Sequence, residues 1–341
     1  MTKVEEQTNI FDHNTSVGKL VFVAIISIAL SSFFLSSFLA PIPLTVIYLL
    51  YGRQVTFLTG AASVGVLWGL TILFKGVPVD SIGFYLLAFL SAFLVAEMIL
   101  RNMNPVKGLT TIVITFSVFI GALLVVYNYA GPRSIKAEIN KLVMIKAKEV
   151  EQQKLLLVEK KVDMAKLDPF TKSVFESFEK PDALTANVLA SLPWTIFIFS
   201  FFGLGLCLYV TLRKSSIWRY KVLYTHSLKD LSPFKVPEWL VWPLIASLVL
   251  ILGVDYGLPK DLETVGMNLL ACLAVFYALQ GLDVYSDFLK FARIGGFIKI
   301  LFLFFILYAG LPFLVILGIF DMWFNFRRFF TKTKKDEGDI L

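Results

Sequence analysis

The 341-residue chain has room for one large domain or two ordinary ones, but 57% of it is apolar, only 17% is charged, and it holds 33 phenylalanines. Soluble domains carry about a quarter charged residues, so with a mean hydropathy of +0.76 a soluble globular protein, a secreted disulfide scaffold and a disordered chain are all excluded. A net charge of +7 would suggest nucleic acid in a soluble protein. Here the cations flank apolar runs, where they orient helices and meet anionic headgroups, so the lipid bilayer and not nucleic acid is the expected partner.

A hydrocarbon core of ~30 Å takes ~20 helical residues. The first run of that kind covers residues 20–39 and ends in Ala40-Pro41-Ile42-Pro43, unlike a signal-peptide cleavage site. A short run at 43–51 follows, closed by Gly52-Arg53. At roughly 14 Å of helix it is too short to span upright. Runs at 55–74, 82–100 and 109–129 come next, and the apolar pattern resumes after a polar stretch at 188–212, 239–254 and 265–284. The last run, 294–324, contains Gly310-Leu311-Pro312. Two short helices in a hairpin are expected there, with a single proline-kinked helix as the competitor. Backbone groups in lipid must be satisfied internally, so the class is an all-α polytopic membrane protein of about eight to ten transmembrane or half-spanning helices.

Lysine and arginine fix the expected orientation. Arg53, Arg101, Lys107, Arg213, Lys214, Arg219, Lys221, Lys229, Lys235, Lys290 and Arg293 lie in one set of alternate loops. Only Lys75 and Lys260 lie in the other. The first set is therefore cytoplasmic. The count fits an inside N-terminus if the run at 43–51 crosses and an outside one if it only dips in. With the inside reading, which the resemblance given below supports, the layout is an N-terminal cytoplasmic tail at 1–19, a first helical bundle at 20–130, a charged extracytoplasmic insertion at 131–187, a second set of membrane helices at 188–326 and a basic cytoplasmic tail at 327–341. Residues 133–187 carry 11 basic and 9 acidic side chains. They read as a helix from Ser134 to about Leu167, stopped at Asp168-Pro169, with Val143, Val150, Leu157 and Met164 making one narrow apolar stripe. A surface helix fits better than a coiled-coil arm, because Lys146, Gln153 and Lys160 occupy the complementary heptad positions.

Polar groups inside apolar runs are the candidates for function. Asn268, Gln280, Asp283 and Asp287 share one helix, and the last three form a stripe toward the inner interface. Helix–helix hydrogen bonding is the plain alternative to a ligand site. Glu97 and Arg101 read as an i,i+4 ion pair, and Asn128 as an interfacial cap. Ser32, Ser36 and Ala40 make a line of small residues along the first run, suited to internal packing or to docking another membrane subunit. Cys207 and Cys272 lie in apolar runs, and with His13 and His226 so distant no metal site is expected. No nucleophile motif, zinc motif or P-loop is present, so neither catalysis nor a cofactor is expected.

Two sets of residues carry resemblances. Ser232-Pro233-Phe234, Val236-Pro237-Glu238-Trp239, Gln280-Gly281-Leu282 and the block from Gly318 through Asp321, Trp323, Arg327 and Arg328 resemble the YybS-like family of bacterial multi-pass membrane proteins. Gln280, Gly281, Asp321, Trp323, Arg327 and Arg328 are the most specific of these. Ala40-Pro41-Ile42-Pro43 before a short helix, then Tyr51-Gly52-Arg53, is similar to the substrate-binding subunits of energy-coupling-factor vitamin transporters. That resemblance implies a bacterial inner-membrane protein that captures a small molecule and works with separate ATPase subunits. A membrane scaffold or assembly factor is the alternative.

Overall fold

The computed structural model describes residues 17–73, 80–131, 134–159, 168–232 and 234–330. Lys75, His13, Met164, Lys160, Pro233 and the tail lysines 332, 334 and 335 lie outside them, as does the expected helix end at Leu167. The described residues are helical without strands: α1 (Val17–Ser31), α2 (Phe34–Ser37), α3 (Pro41–Leu73), α4 (Asp80–Leu100), α5 (Pro105–Ala130), α6 (Ile135–Glu159), α7 (Pro169–Glu179), α8 (Pro181–Arg213), α9 (Val241–Leu252), α10 (Lys260–Phe291), α11 (Gly296–Ala309) and α12 (Leu311–Phe324). Among them six helical segments are long and apolar enough to cross a membrane. The bent pair α11–α12 is a further apolar element, and α1 is a shorter apolar helix.

The chain divides into two units that are discontinuous in sequence. One comprises Met1–Phe116, Phe199–Glu238 and Val275–Leu341; the other comprises Ser117–Ile198 and Trp239–Ala274.

In the first unit, the run at 20–39 is not one helix, which corrects the sequence expectation. α1 stops at Ser31, and Phe33 is extended (φ −121°, ψ 131°). A helix end leaves carbonyls without intrahelical donors, which is costly away from water. Ser36 meets this need, its Oγ donating to Leu30 O (2.8 Å), while Ser32 Oγ adds a second donor to Ile28 O (2.9 Å), which already accepts from Ser32 N. The break also takes Ser32, Ser36 and Ala40 off a common helical face, and Ala40 is fully buried.

The expected punctuation at Gly52 is present. Gly52 adopts φ +82°, ψ 177°, a backbone that side-chain-bearing residues rarely adopt, and α3 is therefore two helices meeting there. Residues 41–51 run along α4, with Thr45 Oγ1 reaching Ala92 O (3.5 Å) and Tyr48 bonding Glu97. Residues 53–73 run back, with Arg53 over the Phe93 ring, Phe57 against Phe89 and Leu67 packed in a core with Leu44, Tyr85 and Ala92.

The end of α10 leads into α11 and α12, which meet at a 100° bend. That is sharper than a proline kink and short of the hairpin expected from Gly310-Pro312. By Arg327 the chain is back beside Asp283 of α10, about 12 Å of helix before the point where it left at Phe291. The pair thus dips away and returns.

In the second unit, α6 carries the narrow stripe: Val143 is buried and Val150 and Leu157 are half-buried, while Leu142, Leu155 and Leu156 are exposed. Asp168 caps α7 by accepting from Thr171 N (2.9 Å), and Lys154 bridges α6 to Glu179 of α7 at 2.8 Å. α6 is thus held against α7 on one side and leaves Leu142, Leu155 and Leu156 uncovered on the other.

Candidate functional site

The expected polar stripe and the C-terminal motif residues meet in the first unit, where α10 crosses α12. Two glycines permit the crossing. A Cβ on Gly281 would sit 1.9 Å from Leu314 O, and one on Gly318 would sit 1.9 Å from Tyr277 O. No side chain fits between the two backbones, as in close crossings of membrane helices generally.

That contact brings Asp321 of α12 to Gln280 of α10. Gln280 is fully buried. Its Nε2 donates to Asp321 Oδ2 (3.0 Å), and its Oε1 accepts from Val236 N (2.8 Å). One amide thereby ties two helices to the segment that leads into α9. Asp283, one turn on, accepts from Ser232 Oγ (2.9 Å) and Phe234 N (3.0 Å). After α12, Asn325 adopts the left-handed conformation (φ +46°) and turns the chain. Phe326 N then donates to Asp321 Oδ1 (2.9 Å), and Arg327 comes back to the cluster. Arg327 pairs with Asp283 (2.8 Å), lies 3.7 Å from Asp321 and donates to Phe234 O (2.8 Å). The three charged side chains are 17%, 14% and 4% exposed for Arg327, Asp283 and Asp321.

The result is a polar clasp of two carboxylates, one guanidinium and one amide. A charge at this depth is tolerated only when paired and hydrogen-bonded, and here both conditions hold. The clasp can lock three chain segments together, and its donors and acceptors are turned on one another. Asp287 stands apart, paired with Lys290 at 2.7 Å and more exposed. Trp323 is exposed on α12, and Arg328 follows Arg327 outward, its backbone N donating to Asn325 O (2.9 Å).

Asn268 is not in this cluster; it lies in the second unit. Trp194 N donates to Asn268 Oδ1 (3.1 Å), and Asn268 Nδ2 donates to Ala190 O (2.8 Å) and Thr264 O (2.8 Å). The amide therefore lies across the Trp194–Ala190 rung of α8, next to Pro193 in that helix. Proline lacks an N–H and crowds the preceding turn, loosening the local ladder. Asn268 adds polar partners from a neighbouring helix at the rung beside the Leu189 carbonyl that Pro193 leaves without its N–H.

Glu97 pairs with Arg101 (3.5 Å), as its spacing predicts, and also accepts from Tyr48 OH. Asn128 accepts from Ile135 N (3.1 Å), capping α6. Sequence reasoning missed the backbone donors of Phe234 and Val236. The available signal was a buried-depth acidic stripe and a later arginine, each needing a counterpart.

The loop after α8 is built, not slack. Trp218 is fully buried and donates through Nε1 to Thr211 O (3.0 Å). Tyr224 OH donates to Met103 O (3.0 Å), and Thr225 N and Oγ1 both donate to Asn102 Oδ1 (3.0 Å). Burial, aided by the Asp230 charge, pushes the Tyr224 hydroxyl up to about 12. Asp230 is held below the usual carboxylate range, first by the backbone N–H of Ser227. Its capping contribution is complete at neutral pH and fades only as pH falls through that lowered range.

Among the described residues no group of three or more His, Cys, Asp or Glu gathers as a metal site, and both cysteines are free thiols. No curated protein and no solved structure matches the chain. A family described as "Predicted membrane protein (DUF2232)" matches residues 19–322. With nearly the whole membrane-embedded sequence inside that match, the chain belongs to the DUF2232 family of predicted membrane proteins.

Proposed function

We propose that the protein is a substrate-capturing membrane subunit of a small-molecule transporter that works with separate ATPases. The observation that carries this reading is the backbone break ahead of residues 41–51, a segment that a second break closes at the cytoplasmic face. One lies at Phe33 and the other at Gly52. The first of these comes shortly before Thr45, which reaches Ala92 near the middle of α4. Non-helical backbone at membrane depth is tolerated where it is enclosed by protein or lines a cavity, and discontinuous helices are how transporters present backbone groups to cargo. The likeness of Ala40-Pro41-Ile42-Pro43 and Tyr51-Gly52-Arg53 to energy-coupling-factor subunits supports the same reading. So does the YybS-like order of the C-terminal blocks, which implies a bacterial cytoplasmic membrane. The chain has no nucleotide motif, so hydrolysis falls to partners and no catalysis is assigned to the chain itself. Cargo recognition in this reading uses apolar side chains and backbone, because Asn268, Gln280 and Asp283 are committed to internal bonds.

A membrane scaffold is the second reading, favoured by the loop docked on the α4–α5 turn. Its basic side chains offer a surface to partners. Purification of the tagged chain from native membranes in mild detergent separates the two. Stoichiometric recovery of an ATPase module supports transport. Recovery of envelope or regulatory proteins without an ATPase sinks it.

A further inference from the structure

We infer that the face formed by the Gly52 turn, the end of α4 and the loop after α8 binds anionic phospholipid headgroups. This inference does not depend on the transport reading.

The cations on this face are held in an unusual way. Arg53 lies over the Phe93 ring (5.2 Å) and Lys221 over the Tyr51 ring (5.7 Å). An aromatic face attracts a cation through its quadrupole but brings no formal charge to cancel it. Both positions therefore keep their full charge toward a ligand. The two sites flank Gly52, through Tyr51 on one side and Arg53 on the other, and Arg101 joins the Arg53 site: Phe93 also packs edge-on against Tyr48, whose hydroxyl bonds Glu97, which in turn pairs with Arg101. Arg219, anchored through His226 O, adds a fourth cation from the loop. Among the groups named here two carboxylates stand against these four cations, Glu97, paired with Arg101 and bonded by Tyr48, and Asp230, bonded by Ser227, so the cluster stays net positive.

The same loop carries two large apolar tips. Tyr220 is 75% exposed and Leu223 is 87% exposed, while Trp218 and Tyr224 on either side are buried and hydrogen-bonded. Anchoring from below and exposure above means the tips are presented, not displaced. Alternating cations and apolar tips fit the headgroup–acyl boundary, where aromatic and basic side chains both find partners. The cations follow within a few residues of the last turns of α4 and α8, both of membrane-crossing length. The nearest surface that offers negative charge beside hydrocarbon is the lipid leaflet.

The test uses the full chain in detergent micelles, with phosphatidylglycerol or phosphatidylcholine added and thermal melting recorded. Phosphatidylglycerol should raise the melting temperature where phosphatidylcholine does not, and added salt should erode the difference. Arg53→Gln with Lys221→Gln should melt normally without lipid and lose roughly 30-fold in phosphatidylglycerol preference. Equal shifts with both lipids, or an undiminished preference in the double variant, overturn the inference. Should that variant fold poorly, Leu223→Trp in vesicles of equimolar phosphatidylcholine and phosphatidylglycerol gives an independent reading. Brominated phosphatidylglycerol should quench the added fluorescence more than brominated phosphatidylcholine, and equal quenching counts against the site. Protection of Lys221 from amine acylation by a soluble protein, with vesicles giving none, would assign the face to a protein partner instead.

Discussion

At the scale of single residues, two side chains that look functional in the sequence repair the backbone or hold it. Asn268 is one. If its amide replaces bonds loosened by Pro193, the two residues are energetically coupled. Asn268→Leu should lower stability by about 1 kcal/mol, the usual worth of such bonds in membranes. In a Pro193→Ala background α8 can close its own ladder, so the same substitution should cost clearly less. Strict additivity in a double-mutant cycle of detergent melting would remove the coupling. Arg327 is the other. Arg327→Ala leaves Asp283 and Asp321 buried without their counter-ion, and breaking a buried pair this way costs about 3–5 kcal/mol. Arg327→Lys keeps the charge but loses the fork that reaches Asp283 and Phe234 O together, and should fall between. Asp287→Asn serves as the control, since its partner Lys290 is 60% exposed and exposed pairs contribute little. Equal losses for Arg327→Ala and Asp287→Asn would show that the clasp is not a stability element.

Helices show the same logic one step up. The α10–α12 crossing has no room for a methyl group, because the obstacle at Gly281 and Gly318 is backbone, not a flexible side chain. Gly318→Ala should therefore push the helices apart, weaken the clasp with them and lower the melting temperature by several degrees. Gly69, with nothing near an added Cβ, is the comparison. Gly69→Ala should be neutral or slightly stabilising, because alanine favours helix by about 1 kcal/mol over glycine. If both substitutions behaved alike, the crossing would be looser than its geometry implies.

Elements were legible where polarity punctuates them. Gly52-Arg53 interrupts an apolar run with a permissive residue and a charge, and the break is there. Ser32 and Ser36 were misleading, because serine inside an apolar run reads as a packing residue. The Ser36 bond to Leu30 O, six residues back, depends on the helix having already ended, whereas the Ser32 bond to Ile28 O is the usual one-turn back-bond of a helical serine. The polarity of Gln280, Asp283 and Asp321 was equally plain. Their partners were not, since Val236 lies 44 residues and Asp321 lies 41 residues from Gln280, and no periodicity links them. Pro193 and Asn268 were each visible, yet only the fold makes them neighbours.

On the scale of the whole molecule, the positive-inside count and the returning α11–α12 pair agree about one side. Lys290, Arg293 and Arg327 belong to the same end of α10, and so, by the loop count, does Lys229. We predict that Lys229 is cytoplasmic and the α6 helix extracytoplasmic. In a background of Cys207→Ala and Cys272→Ala, Lys148→Cys should react with an impermeant maleimide on intact cells. Lys229→Cys should react only after permeabilisation. The reverse pattern would invert the topology.

The clasp also sets an order of events during synthesis. Gln280 and Asp283 leave the ribosome well before Asp321 and Arg327 do, while Ser232, Phe234 and Val236 have left long before. A nascent chain with α10 inserted but α12 unmade holds the Gln280 amide and the Asp283 carboxylate at the inner end of α10 without Asp321 and Arg327, so that end of the helix is less firmly held. Until α12 arrives, α10 is a conditional passenger of the bilayer, and a helix translated after it is the one that makes its insertion permanent.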